Sequence, residues 1–131
     1  AWAGPEHNPW FTIPQRVAVA RLGPVEPSPP EAPGPMAFRD AARLTGLLAA
    51  AGLRDPVAEA IDLGLLNPGG IDAMMDLVGS IGALPRVLRE KGGTAEDRAA
   101  ILAEVRAELA AFASPDGIRL PARVIIYTAC A

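Results

Sequence analysis

The chain has 131 residues, of which 50% are hydrophobic and 21% are charged, and this composition is typical of one folded domain rather than of a disordered or fibrous protein. A formal net charge of -3 argues against a protein that binds the phosphate backbone of nucleic acids. One Cys and one His exclude an internal disulfide and a zinc site built from four Cys or His ligands. No apolar run approaches the roughly 20 residues of a membrane helix, and no signal-peptide pattern opens the chain. We therefore expect a cytoplasmic protein that binds neither nucleic acid nor membrane.

The N-terminal quarter is rich in proline, since nine of the 14 Pro residues fall within the first 35 positions. Each proline removes a backbone donor and biases the preceding residue away from helix. We predict a strand end and a Pro-rich lid over residues 1–39. Within this lid, residues 13–22 fit one or two helical turns that start at Pro14, and residues 23–35 should be extended and exposed. The chain begins without Met and runs into a Gly-Pro turn signal, which suggests a fragment of a longer protein.

Residues 40–131 are predicted to form an α/β portion. Asp40 is a good N-cap, leucines recur at helical spacing after it, and Gly52 supplies a left-handed stop, so residues 40–51 should be a helix. Apolar side chains then alternate over residues 57–66, which favours a strand although Glu59 falls on the apolar face.

A helical insertion is predicted at about residues 71–113. Its first helix should bend or stop near Gly82 and Pro85, and Thr94 with Asp97 resembles a capping box that opens a second, amphipathic helix. The apolar stripe of that helix comprises Ile101, Leu102, Val105, Leu109 and Phe112. The β-branched and aromatic run at residues 123–128 is typical of a strand. Two strands alone are marginally stable, so we expect further strands from residues outside this chain or from a second copy.

Three short motifs, Ala1-Trp2, Asn8-Pro9-Trp10 and Ala51-Gly52-Leu53, occur in an order that resembles the C-terminal half of a class I S-adenosylmethionine-dependent methyltransferase. The resemblance is to the small-molecule methyltransferases related to ubiquinone and menaquinone biosynthesis. In that family the motifs mark the end of the fifth strand, the lid, and the end of the helix before the sixth strand. The resemblance implies a Rossmann-like sheet whose last two strands, here 57–66 and 123–129, form an antiparallel pair at the sheet edge.

The family holds S-adenosylmethionine with a Gly-rich loop after its first strand and an acidic residue at the end of its second strand. This sequence contains neither. Its nearest Gly clusters, Asn67-Pro68-Gly69-Gly70 and Lys91-Gly92-Gly93-Thr94, have neither the spacing nor the strand-to-helix context of a nucleotide loop and are expected to be plain turns. We expect no cofactor or metal site in this chain. The resemblance implies that the complete enzyme uses S-adenosylmethionine, held by an N-terminal half that would be this chain's partner.

The candidate substrate-binding residues are Trp10, Phe11, His7, Asn8 and Phe38. Methyl transfer requires alignment of the reactants and exclusion of water, and the ligand crevice of an open α/β sheet lies at the carboxyl ends of its strands. Trp10 and Phe11, expected in a loop after a strand, therefore become contacts for the methyl acceptor. Alternatively, they attach that loop to the core.

The other candidates also have two interpretations. His7 is either a general base, because an imidazole titrates near neutral pH, or a solvated loop histidine. Phe38 and Met36 either line the same pocket or anchor the exit of the Pro-rich segment. Met74 and Met75 either form part of an adaptable apolar wall or pack in the core.

The sequence thus favours the substrate-side, C-terminal portion of a methyltransferase that acts on a small, apolar or aromatic acceptor. The alternative is a non-catalytic α/β module that binds an apolar ligand or forms a homodimer through a sheet edge. The residues alone leave open whether this chain is part of an enzyme, and they identify no catalytic base.

Overall fold

Two strands of 14 residues each, β1 (Arg54–Asn67) and β3 (Gly117–Cys130), form the centre of the computed structural model, which describes residues 1–131. They pair antiparallel over nearly their whole length. A two-residue strand, β2 (Ala113–Ser114), pairs with the start of β3 and gives the order β1-β3-β2. The α/β class and the antiparallel strand pair are therefore confirmed, and both long strands extend beyond the predicted ranges of residues 57–66 and 123–128.

The first three residues pair with the side of β3 that faces away from β1. The backbone groups of Ala1 and Ile125 exchange two hydrogen bonds of 2.8 Å, and the Ala3 amide donates to the Arg123 carbonyl at 3.0 Å. Trp2 forms an antiparallel bridge with Val124. Strand β3 therefore has neighbours on both sides.

Local capping signals set the boundaries of the helix before β1. Helix α2 (Ala41–Ala50) begins after Asp40, whose carboxylate accepts a hydrogen bond from the Arg43 amide at 3.0 Å. Gly52, with φ of +88°, turns the chain out of the helix. The predicted helix at residues 40–51 is confirmed.

Three helices fill the predicted insertion between the long strands. They are α3 (Gly70–Ser80), α4 (Ala83–Lys91) and α5 (Ala95–Leu109), and a short 3-10 turn, Ala110–Phe112, follows. The predicted break falls at Gly82, whose φ of +86° suits only glycine well. Both hydrogen bonds of the predicted capping box between Thr94 and Asp97 are present at the start of α5.

The N-terminal segment differs from the prediction of a lid with at most two helical turns. Helix α1 (Pro9–Leu22) has 14 residues and begins at Pro9, after a 3-10 turn at Pro5–His7. Pro9 occupies the first turn, where a missing amide costs nothing, while Pro14 lies inside the helix. Val17 and Ala18 are fully buried, and this packing outweighs the helix-breaking tendency of Pro14. Residues 23–40 contain neither helix nor strand, but the extended conformation predicted for residues 23–35 is found only up to Pro29, because turns and bends follow over residues 30–38.

The hydrophobic core lies between four helices and one end of the sheet. It comprises Val17, Ala18, Met74, Met75, Val78, Leu84, Val87, Ile101, Val105, Leu109, Ile118 and Leu120. Met74 and Met75 are thus core residues, whereas Leu77 and Ile81 on the same helical segment are exposed. From the predicted stripe of α5, Ile101, Val105 and Leu109 are buried.

Candidate functional site

A cavity of about 420 Å³ lies between the Pro-rich segment, helix α1 and the start of helix α4. Its apolar wall comes from three separate parts of the chain: Phe11 on α1, Val25 and Met36 at the two ends of the Pro-rich segment, and Val87 on α4. A volume of this size lies within the range of small-molecule sites, and seven of the 18 residues that line the cavity are hydrophobic. The cavity is therefore the candidate ligand site of this chain.

Arg86 holds the Pro-rich segment over the cavity. From helix α4 its Nη1 donates to the Ser28 hydroxyl at 2.6 Å, and its Nη2 donates to the Glu26 carbonyl at 2.9 Å. Its Nε donates to Glu90 Oε1 at 2.6 Å, one helical turn further along α4. These three contacts use three of the five N–H donors of the guanidinium and fix Glu26 and Ser28 of the Pro-rich segment to α4.

Phe11 is the one predicted substrate contact that lines this cavity. It occupies the first turns of α1, rather than the loop expected from the sequence, and the helix directs it toward the Pro-rich segment. Met36, buried in the wall, joins it there as the sequence suggested.

Trp10 lies beside the cavity and packs against other aromatic rings. Its ring centroid is 4.9 Å from that of Trp2 and 5.7 Å, edge to face, from that of Phe11. A Cβ placed on Gly82 would lie 3.6 Å from its Cζ3 atom. Its Nε1 is buried and donates to no acceptor. In this position Trp10 attaches helix α1 to the first residues and to the α3–α4 connection, which matches the alternative in which the ring attaches the segment to the core.

Asn8 is fully buried, and backbone groups engage its amide. Its Nδ2 donates to the carbonyls of Ala3 at 3.3 Å and Gly4 at 3.0 Å, and its Oδ1 accepts from the Arg123 amide at 3.3 Å. Asn8 therefore connects the N-terminal residues to β3, and no part of it lines the cavity.

His7 lines a different, smaller cleft of about 270 Å³ beside Asp62 of β1. Its Nε2 lies 3.4 Å from Glu6 Oε1 and 3.4 Å from Arg123 Nη1. Arg123 in turn donates to both carboxylate oxygens of Asp62, at 2.7 and 2.8 Å, and this hydrogen bonding lowers the pKa of Asp62. The structure thus separates His7 from Phe11, and the imidazole belongs to a charged cluster on the surface.

Phe38 is 47% exposed, and its side chain is not part of the cavity wall. Its carbonyl accepts a hydrogen bond from the Tyr127 hydroxyl at 2.8 Å, and burial raises the pKa of that tyrosine. Phe38 therefore anchors the exit of the Pro-rich segment to β3 through its backbone.

Sequence reasoning missed Val25, Arg39 and Arg86 in the cavity wall. Among these, the spacing of Arg86 and Glu90 on a predicted helix was the only available signal.

The two Gly clusters, which the sequence predicts to be plain turns, lie in different settings. Asn67–Gly70 does connect strand β1 to helix α3, so the expected lack of a strand-to-helix context was wrong for this cluster. The turn is nevertheless filled by the chain itself, because Asn67 Oδ1 accepts from the Gly69 amide at 3.1 Å and the Asn67 carbonyl lies against Gly117. The other cluster joins two helices, and Thr94 is used in a cap. The Thr94 cap satisfies the start of α5, whereas no side chain caps the first turn of α3.

No protein-family model, curated protein or solved structure matches the chain. The structure contains no group of three or more His, Cys, Asp or Glu side chains placed to hold a metal ion. None of its helices is both long and apolar enough to cross a membrane. The function must therefore be argued from the cavity and from the arrangement of the sheet.

Proposed function

We propose that this chain is the substrate-side, C-terminal portion of an S-adenosylmethionine-dependent methyltransferase that acts on a small molecule. The observation that carries the proposal is the cavity of about 420 Å³ beneath the Pro-rich segment. Phe11, Val25, Met36 and Val87 provide a wall for an apolar or aromatic acceptor, and the Pro-rich segment forms one side of the cavity.

The sheet supports the same proposal. Strand β3 lies between β1 and residues 1–3, and it is antiparallel to both. This arrangement is compatible with the expected sheet edge, in which β1 and β3 are the last two strands and Ala1-Trp2 is the end of the strand before them. In the proposal, residues outside this chain hold the methyl donor, because neither Gly cluster has the spacing of a nucleotide-binding loop.

The contribution of this chain to the reaction is to bind and orient the acceptor and to exclude water. Its cavity wall contains no His, Asp, Glu, Lys, Tyr or Cys, so no general base is available there. The acceptor atom must therefore be nucleophilic without help from this wall, as a phenolate or an amine is, or must lose its proton to a group on the donor-binding half.

The test is methyl transfer by the polypeptide that the complete gene encodes. Transfer of a labelled methyl group from S-adenosylmethionine is measured with a panel of small phenols, quinols and amines. We expect turnover with an aromatic acceptor, a lower kcat/KM for Phe11→Ala, and wild-type values for Phe38→Ala, whose ring lies outside the wall. Absence of methyl transfer to every acceptor class, or equal losses in both variants, would contradict the proposal.

A second candidate function, dimerisation, is favoured by an exposed apolar part of the sheet. Val57, Ile61 and Leu63 of β1 and Ile126 of β3 are exposed, and the pairing register places their side chains on the same face. Exposed apolar side chains grouped on one face can mark an interaction surface, although the exposed Glu59 lies on the same face between Val57 and Ile61. Analytical ultracentrifugation of wild type and Ile61→Glu decides: a dimer that Ile61→Glu dissociates supports this function, and a wild-type monomer contradicts it.

A further inference from the structure

The cavity wall carries positive charge only. Arg39 and Arg86 contribute to it, and no Asp or Glu does, although acidic residues outnumber basic ones by 15 to 12 in the chain as a whole. The polar remainder of the wall includes Gln15 and Ser28. The local charge therefore favours an anionic ligand over a neutral or cationic one.

The two arginines differ in how far protein groups satisfy them. Arg86 is occupied by Ser28, the Glu26 carbonyl and Glu90. The Arg39 guanidinium makes one hydrogen bond, a long one of 3.4 Å from Nη1 to the Met36 carbonyl, and it pairs with no carboxylate. A guanidinium has five N–H donors, so most of the donors of this half-buried side chain lack a protein acceptor.

We propose that the cavity binds an acceptor with an aromatic or apolar body and one carboxylate, and that Arg39 receives this carboxylate. The inference rests on the proposed function and names its substrate class. An arginine donates two parallel hydrogen bonds to a carboxylate, which gives both affinity and orientation. The ring of Phe11 and the side chains of Met36 and Val87 contact the apolar body, and the charged end lies beside the guanidinium of Arg39.

The test compares two probes of nearly the same shape, 2-naphthoate and its neutral amide, 2-naphthamide, by isothermal titration calorimetry with the 131-residue chain. We expect the carboxylate to bind more tightly than the amide. Arg39→Gln should weaken 2-naphthoate binding by about tenfold or more, as loss of charge-assisted hydrogen bonds implies, and leave 2-naphthamide binding unchanged. The matched control is Arg89→Gln, an exposed arginine of α4 outside the wall, which should bind both probes as wild type does.

The inference is overturned if wild type binds the amide as tightly as the carboxylate, a comparison that requires no variant to fold. It is also overturned if Arg39→Gln retains wild-type affinity for 2-naphthoate. In both cases the cavity remains a ligand site and the proposed function stands. If neither probe binds, both the inference and the assignment of the acceptor to this cavity fail. If 2-naphthoate binds as expected but the methyl-transfer assay fails, only the proposed function is contradicted.

Discussion

Replacing Asn8 by alanine should destabilise the chain by about 2–4 kcal/mol. Asn8 is the only buried polar residue of the chain. Its side chain donates hydrogen bonds to the carbonyls of Ala3 and Gly4 and accepts one from the Arg123 amide. Each buried group that loses its partner costs about 1–3 kcal/mol, and partial relaxation or an entering water lowers the sum. With an unfolding entropy of about 2.1 cal/mol/K per residue, a loss of this size lowers Tm by about 7–15 °C for 131 residues.

The assay is urea unfolding followed by circular dichroism and by tryptophan fluorescence. His7→Ala is the control. His7 is the neighbouring residue and is exposed, so its replacement should change the free energy of unfolding by less than about 0.5 kcal/mol. Below its melting temperature, Asn8→Ala should bind 2-naphthoate with wild-type affinity, because Asn8 does not line the cavity. A loss of less than about 0.5 kcal/mol for Asn8→Ala would refute the structural role and would restore Asn8 as a candidate ligand contact.

Three further results are expected from local backbone and capping geometry, each checked by urea or acid unfolding. Gly46→Ala should stabilise the chain by about 0.5–1 kcal/mol, because this mid-helix position of α2 has open space for a Cβ. Gly82→Ala, at φ +86° and ψ -146°, should destabilise it by about 1–3 kcal/mol. Changes of the same sign in the two variants would refute these backbone roles. Thr94→Ala should cost about 1 kcal/mol, and an unchanged midpoint would contradict the capping role. Hydrogen bonds from Thr94 hold the pKa of Asp97 at about 2, below its usual 3.8. The ionised Asp97 carboxylate therefore stabilises the folded chain above about pH 4, and this contribution is lost as the pH falls toward 2. Asp97→Asn should therefore make the acid limb of the stability curve less steep, and an unchanged limb would contradict this.

Elements that depend on neighbouring residues could be predicted from the sequence. Asp40, Gly52 and Thr94 determine helix ends through bonds to residues within a few positions, and such signals are visible in one dimension. The alternation over residues 57–66 likewise sufficed to identify β1, although much of its apolar face is exposed rather than buried.

Only residues 13–22 of helix α1 were predicted to be helical, because the stability of the helix comes from distant contacts. Pro14 lowers the local helix preference, and the helix forms because Val17 and Ala18 pack against α4 and α5, more than 60 residues later in the chain. The error also placed Trp10 and Phe11 in a loop and left their directions undetermined.

The candidate site was only partly predictable for the same reason. Phe11 and Met36 were named from the sequence, but Arg39 and Val87 join them only through tertiary packing. The role of Asn8 depends on a hydrogen bond to Arg123, 115 residues away. No local pattern contains such pairings, so the sequence identified the segment but not which of its side chains line the cavity.

The most direct test of the central claim, that the cavity beneath the Pro-rich segment binds the acceptor, uses the three methionines of the chain as probes. In protein labelled with ¹³C at the methionine methyl groups, titration with 2-naphthoate should shift the Met36 signal, because Met36 lines the cavity. The signals of Met74 and Met75, which lie in the core outside the wall, should remain in place. Saturable binding that leaves Met36 unchanged, or that shifts Met74 and Met75 instead, would contradict the account.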